Sequence, residues 1–363
     1  QETLRVARRS DVRPSAGGRA CFAIASWLLL LSVTASAGLD PEREGHLTVF
    51  GHVPSRVAAQ VELSVARFEL LTADGTIPVV PGREVLSTAT DAGRARTWMR
   101  AAFPAGRLDS LRVVFTVARV NVGGVWTEVD LREAPMRFPI LRDVDPGECL
   151  VLHLDFDPDA TAIDADPWRP ALRTRLPQRP PLGQRVFVAL EEGGTLAVLD
   201  RRSGEVVQEI GVGGRPTDVV YSALERRLLI TVAGRDELVA VDLGDVDRIR
   251  RLPLRFGDEP SRLLLSDDEH DVFVLARGHD ALVRVSNQTF QESGRIALEP
   301  RPVAMATDPR TGRVFVSSET SRAVEVVDPR EQAVVERFVV RDVPGELVFL
   351  ETSRELLVGA LDA

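Results

Sequence analysis

His279 sits beside Asp280, and an imidazole next to a carboxylate can exchange a proton near neutral pH, so this pair is the first place to look for chemistry. The second is an acidic run. Asp155, Asp157 and Asp159 alternate, and Asp164 and Asp166 follow, in the manner of the oxygen-rich loops that bind calcium. An EF-hand loop needs Gly at its sixth position and a bidentate Glu at its twelfth, where this chain has Ala160 and Asp166, and Pro158 stiffens the middle. The expectation is therefore a strand end running into a solvated acidic linker, with no metal site. The sequence shows no GxSxG, HExxH, CxxC or phosphate-binding glycine loop, and no CxxCH for haem. His46, His52, His153, His270 and His279 have no ligand spacing, so no cofactor is expected. All 45 basic residues are arginine, which removes a P-loop, Schiff-base or general-base lysine from the chemistry present here.

What positions His279 and Asp280 is a repeat. Sixteen-residue blocks begin at Arg185, Arg227, Asp271 and Arg313, and their second residues, Val186, Leu228, Val272 and Val314, recur 42, 44 and 42 residues apart. A fifth copy begins at Glu355 with ELLVGA. Short apolar strands at a period near 40 are the mark of a β-propeller with one four-stranded blade per repeat. In the first full unit the strands are expected at Thr217–Ser222, Arg227–Val232, Glu237–Leu243 and Arg251–Phe256. Antiparallel strands reverse at every turn, so the second-to-third turn and the blade-to-blade crossing share one end. Loops on a rigid scaffold concentrate binding residues, which makes that end the default site. Its contents are of mixed charge: Glu191, Glu192, Arg215, Arg235, Asp236, Asp258, Glu259, Arg277, His279, Asp280, Arg301, Glu319, Arg322 and Asp342. Glu192, Arg215, Arg235, Asp236, Arg277, His279, Asp280, Arg301 and Arg322 are the residues expected to form the binding face. Any one of them also fits a solvated turn. At the position of His279 the other copies hold Gly193, Arg235 and Ser321, so no ring of ligands follows. Asp200, Asp242, Ser286 and Asp328 recur in register and are expected to cap turns, because Asp and Ser side chains bond nearby backbone N–H groups.

Ahead of the repeats, residues 45–163 read as a second β domain. Leu111, Val113, Phe115 and Val117 alternate, as do Leu150, Leu152, Leu154 and Phe156, at the period of a half-buried strand. Asp74-Gly75 and Gly123-Gly124 sit at hairpin positions. No amphipathic helix is evident, and an antiparallel β-sandwich of about seven or eight strands is expected. Residues 164–184 hold five prolines with Arg169, Arg173, Arg175 and Arg179, the composition of an extended linker.

Residues 1–37 read as an export signal: five arginines come before an apolar run from Ala20 to Val33, and Ala35-Ser36-Ala37 offers a cleavage site. The run is too short to span a bilayer comfortably, so no membrane span is expected in the mature chain. The Arg8-Arg9 pair hints at twin-arginine export, although the residues after it lack the usual apolar character. These 37 residues carry five arginines and two acids, so without them the formal charge stands at −12 against −9 for the whole. So acidic a protein is a poor nucleic-acid binder. Cys149 alone remains after cleavage, which excludes an intramolecular disulfide.

Two resemblances follow. RVFVALEEGGTLAVLDRRSGEVVQEIGVGGRPTDV and GRVFVSSETSRAVEVVDPREQAVVERFVV are similar to repeats of the YVTN-type β-propeller family, over Gln184 to the end. That likeness implies extracytoplasmic or surface proteins, usually of about seven blades, with lactonases and parts of some reductases among related propellers. The four tips, EEGG, AGRD, ARGH and ETSR, depart from the family's Asn- and Ser-rich turns. VELSVARFELLTADG, PAGRLDSLRVVF and LHLDFDPDAT resemble the bacterial domain of unknown function 4382 over roughly residues 45–165. That family is found in exported proteins and has no established activity.

The fold class expected is thus all-β: a sandwich followed by propeller repeats, four plus the start of a fifth, cut short of about seven blades. The function expected is that of an exported, periplasmic or extracellular, non-catalytic protein. It would bind a protein, glycan or small-molecule ligand on its loop face. The alternative is a propeller-based enzyme such as a lactonase or oxidoreductase. An electron-transfer protein has no support in the histidine or cysteine pattern.

Overall fold

The computed structural model describes residues 3–6, 44–55, 60–122, 124–129, 131, 135–158, 160–161, 170–244 and 248–360. Almost every element is a strand. By its contacts the chain forms two units: residues 38–213, and residues 214–363 together with 1–37. The contact boundary falls one three-stranded sheet later than the proline-rich segment. The export-signal reading lies outside the described residues, apart from Thr3–Val6, a strand that runs parallel to Glu355–Ala360.

In residues 38–213, a four-stranded sheet and a six-stranded sheet enclose one core. The first takes the order Leu172–Arg175, Cys149–Phe156, Glu44–His52, Ala95–Pro104. The second is built on the long pair Gln60–Thr72 and Gly106–Val122, flanked by Gly75–Val79, Val85–Ser87, Val125–Val129 and Met136–Val144. Trp98, Phe68, Phe103 and Phe156 fill the core. Trp98 lies so close to the neighbouring strand that a Cβ at Gly51 would stand 2.8 Å from its indole.

Four expectations for residues 38–213 need correction. Strands Glu44–His52 and Cys149–Phe156 run parallel rather than antiparallel. Parallel neighbours need a long crossover, and the whole six-stranded sheet serves as one. Among the described residues nine strands lie between Glu44 and Phe156, more than the seven or eight expected, because short pieces such as Val85–Ser87 carry no pattern of their own. Val117 is not on the core face: the register of Gly106–Val122 shifts between Phe115 and Val117, so Ala118 and Val120 turn inward in its place. Leu172–Arg175, inside the proline-rich segment, is an edge strand whose Arg175 bonds Asp155 and Glu205.

The four-stranded sheet is covered on both faces. Its inner face carries Leu150, Leu152, Leu154 and Phe156, as their alternation predicts. Its outer face meets the sheet of Arg185–Leu190, Thr195–Asp200 and Val206–Gly211. There Thr48 Oγ1 donates to Glu209 Oε2 at 2.9 Å, Arg100 NH2 donates to Glu209 Oε1 at 2.8 Å, and His153 Nε2 donates to the Val206 carbonyl at 2.8 Å. Burial pushes the Cys149 thiol up to about 12, helped by the nearby Glu209 charge, which makes it an inert group.

Residues 214–360 contain three complete four-stranded antiparallel sheets in chain order, starting at Pro216, Pro260 and Pro302, and then the pair Pro344–Leu350 and Glu355–Ala360. The first strands of successive sheets pack on one another, which is the way propeller blades meet. The sixteen-residue blocks from Arg227, Asp271 and Arg313 are the central hairpins of these sheets, and the block from Arg185 is a hairpin of the three-stranded sheet in residues 38–213. The recurring caps form as the spacing predicts: Asp200, Asp242 and Asp328 accept from the N–H two residues on, and Ser286 from the N–H of Thr289. In the first complete sheet the fourth strand is Ile249–Pro253, not Arg251–Phe256. The ladder closes with the Leu254 N–H on the Asp236 carbonyl at 2.8 Å, and the chain turns at Phe256 and Gly257, which leaves Phe256 outside it.

Candidate functional site: the loop face

Backbone bonds place the two loop families together within residues 214–360. Ala233 N donates to the Arg215 carbonyl, Gly278 N to that of Asp258, and Glu319 N to that of Arg301, at 2.9 to 3.0 Å. Each tip therefore leans on the crossing that enters its own blade. The contact is closest at Gly278, where an added Cβ would come 2.0 Å from the Gly257 carbonyl oxygen. Gly278→Ala is expected to cost about 2 kcal/mol, since backbone has to move to relieve the overlap. Chemical denaturation of the variant checks this, and an unchanged midpoint would mean that the loops are not in contact.

The aspartates of this face are turned inward. Asp236 accepts from Gly257 N and Glu259 N, each at 2.8 Å, and Asp280 accepts from Arg301 N at 2.7 Å. Asp236 and Asp280 themselves sit at φ near 50°, a left-handed position that Asp tolerates better than most residues. Asp258 is fully buried. Arg295 grips it with two bonds, NH1 to Oδ1 at 2.8 Å and NH2 to Oδ2 at 2.9 Å. Arg255 N–H adds another, and His279 Nδ1 donates to Oδ1 at 2.9 Å. Burial alone would raise the Asp258 carboxyl, but the bonds from Arg295, His279 and Arg255 outweigh it and hold the group below its ordinary range.

The arginines point the other way. Arg215, Arg235, Arg255, Arg277, Arg301 and Arg322 are all exposed. Arg277 and Arg301, from different loops, share one carboxylate oxygen of Glu319, at 3.7 and 3.2 Å. Phe256 is 95% exposed. Its neighbour Gly257 lies against the His279 ring.

Of the residues expected on the face, the structure gathers Arg215, Arg235, Asp236, Arg277, His279, Asp280 and Arg301 about the loops of residues 213–216, 233–236, 255–260, 277–280 and 299–302. Arg322 occupies the left-handed end of the next tip and is exposed. Glu192 is an exposed tip residue of the other unit. Phe256, Arg255 and Arg295 were not anticipated. The spacing puts Phe256, three residues past Pro253, at the end of a strand, and nothing in it pairs Arg295 with Asp258.

Two aspartates of the acidic run fall among the described residues with their oxygens in protein bonds. Asp155 carries a salt bridge to Arg175 on both oxygens, and Asp157 accepts from Ala160 N to close its own turn. Asp159, Asp164 and Asp166 lie outside the described residues. Among the described residues no cluster of three His, Cys, Asp or Glu side chains could hold a metal ion.

The sheets themselves define the class: an all-β protein with propeller-like blades. No protein-family model matches the chain, and no curated protein does. Among solved structures, Kuenenia stuttgartiensis hydrazine synthase is similar at 20% identity over 46% of this chain, with a TM-score of 0.42. The match spans 48% of that protein, about half its length. The β-propeller domain of Myceliophteria thermophila Cps50 (Swd1) is similar at 19% identity over 50% of this chain and 59% of that one, TM-score 0.42. A Lactobacillus plantarum protein is similar at 12% identity over 82% of this chain and 90% of that one, TM-score 0.44. Among the described residues no helix is long and apolar enough to cross a membrane.

Proposed function

We propose that this is an exported, non-catalytic binding protein of the YVTN-type propeller family that takes its ligand on the loop face of its blades. A β-sandwich of the domain 4382 type stands ahead of the blades as spacer or second recognition module. The observation that carries the binding reading is Phe256, a wholly exposed ring among outward arginines on a face whose aspartates are spent on its own backbone. Phe and Arg are among the residue types enriched at the cores of interfaces. A single anchor of this kind accounts for roughly a tenfold or greater change in affinity. Screening the full chain against peptide and glycan arrays tests the reading. Phe256→Ser should weaken the signals about tenfold without changing stability, whereas signals equal to wild type would place the ligand elsewhere.

A propeller enzyme on the same face remains the second reading, favoured by one observation. His279 Nδ1 is bonded to a buried carboxylate at 2.9 Å while its ring stays half exposed, an arrangement that orients an imidazole for proton transfer. Turnover from a panel of lactones that disappears in His279→Gln would support it.

A further inference from the structure

We propose that the ligand of the loop face is an acidic peptide segment. One of its carboxylates takes the place between Arg277 and Arg301 that Glu319 now fills, and an apolar side chain of the peptide lies on Phe256. The inference rests on the loop-face reading and adds the chemistry of the partner.

The argument is one of which groups the face leaves free. On a mixed-charge surface, either sign of ligand could dock. Here both oxygens of Asp236, Oδ2 of Asp258 and Oδ1 of Asp280 hold the N–H groups of residues 255, 257, 259 and 301, and Oδ1 of Asp258 is held by Arg295 and His279, so these oxygens are committed to loop shape. The guanidinium groups are not committed in the same way. Arg277 and Arg301 remain 46% and 58% exposed, and each meets Glu319 through a single nitrogen, so most of their donors face solvent. An anion meets donors there, while a cation meets like charge.

Glu319 shows where such an anion sits. Its carboxylate belongs to the tip of one blade, Arg277 to the tip of the preceding blade and Arg301 to the crossing between them. Three loops thus converge on one carboxylate that is itself a third exposed, at 3.2 and 3.7 Å, longer than a tight charge-assisted bond. A ligand carboxylate can displace an occupant held so loosely. Phe256 selects among anions: a peptide can supply an apolar group to cover the ring, whereas a polyuronate glycan offers carboxylates without one.

The test uses the full chain and a fluorescein-labelled twelve-residue peptide of alternating Glu and Leu, with a Lys-and-Leu peptide as its counterpart and polygalacturonate as competitor. The Glu peptide is expected to bind, and to weaken steeply with added salt. Phe256→Ser should reduce affinity about tenfold. Arg277→Gln and Arg301→Gln should each reduce it about fivefold, while Glu319→Gln should increase it several-fold by removing the internal competitor. No binding of the Glu peptide, or unchanged affinity in Glu319→Gln, overturns the proposal. Tighter binding of the Lys peptide, still lost in Phe256→Ser, overturns the acidic ligand and keeps the loop face. Polygalacturonate that outcompetes the peptide and ignores Phe256→Ser assigns the face to a glycan instead. Binding of any probe that is indifferent to all four variants overturns the loop-face reading itself.

Discussion

Asp258→Asn is expected to lower the stability of residues 214–363 by about 3 kcal/mol, the larger part of it from leaving Arg295 facing a neutral amide. The side chain of Arg295 is only 12% exposed, and Glu292, its other partner, is 30% exposed. Loss of the Asp258 charge therefore leaves a mostly buried guanidinium with one partner nearer to solvent. Every acceptor position of Asp258 is also in use, so an amide must turn an NH2 toward Arg295, His279 or the Arg255 N–H. The loop of residues 255–259 should then come loose from strand Gln291–Ala297, and with it both Phe256 and the orientation of His279. Denaturation by urea measures the first effect, and the tautomer of His279 read by nitrogen NMR measures the second. His279→Gln provides the contrast: its side chain is half exposed, so it should remove the orienting bond at a cost below about 1 kcal/mol. A midpoint for Asp258→Asn equal to wild type would mean that the Arg295 pair does not hold the loop.

The second large effect is expected from pH, and it belongs to residues 38–213. His46 and His153 sit between the four-stranded sheet and the sheet of residues 185–211, with His46 Nε2 and His153 Nδ1 buried and unbonded. Burial, aided by the positive charge of Arg100, pushes His46 down from 6.5 to about 4. Burial also lowers His153, against the opposing pull of the Val206 carbonyl. Both are therefore neutral when folded and take up a proton more readily when unfolded. The stability this contributes is fully present above about pH 6.5, where neither state is protonated, and is lost as the pH falls toward 4. For His46 the loss amounts to about 3 kcal/mol. Unfolding midpoints measured from pH 7.5 to 4 should fall steeply in wild type and less so in His46→Gln. A flat profile in wild type would show that the two rings titrate normally and that the outer face of the sheet is open to water.

That outer face also marks where the sequence stopped being readable. The alternation Leu150, Leu152, Leu154, Phe156 announced a half-buried strand, and those four residues do face the core. The complementary set, Cys149, Val151 and His153 with His46, Thr48 and Phe50 on the adjoining strand, mixes polar and apolar residues and gives no clear pattern. All of it but the half-buried Cys149 is buried, because a third sheet from residues 185–211 covers it with Glu209 paired to Arg100. Period-two patterning records one apolar face and is blind to a second face satisfied by hydrogen bonds. The repeat, by contrast, was legible nearly to the residue: all four hairpins pair across the blocks that the spacing marked. Strand order within each blade followed from that, and so did the end at which the loops gather.

The charges of those loops were legible only as a list. Sequence shows Asp236, Asp258 and Asp280 among Arg235, Arg277 and Arg301 without saying which sign faces the ligand. Backbone geometry decides it, since an aspartate at the left-handed end of a tip reaches the N–H groups of the next crossing, and an arginine is too long and has no acceptor to do the same. The outcome is a donor-rich patch on a chain whose overall charge is −9. Such local reversal steers an anionic partner to one end of the blades, and the steering weakens with salt.

The most direct measurement is hydrogen–deuterium exchange with and without a saturating concentration of the alternating Glu–Leu peptide. Protection should appear in residues 213–216, 233–236, 255–260, 277–280, 299–302 and 319–322, the loops at the face. Turns at the opposite end of the blades, residues 223–226, 266–270 and 308–312, should be unchanged. Protection of those turns instead, or of the strands alone, would contradict the placement of the site.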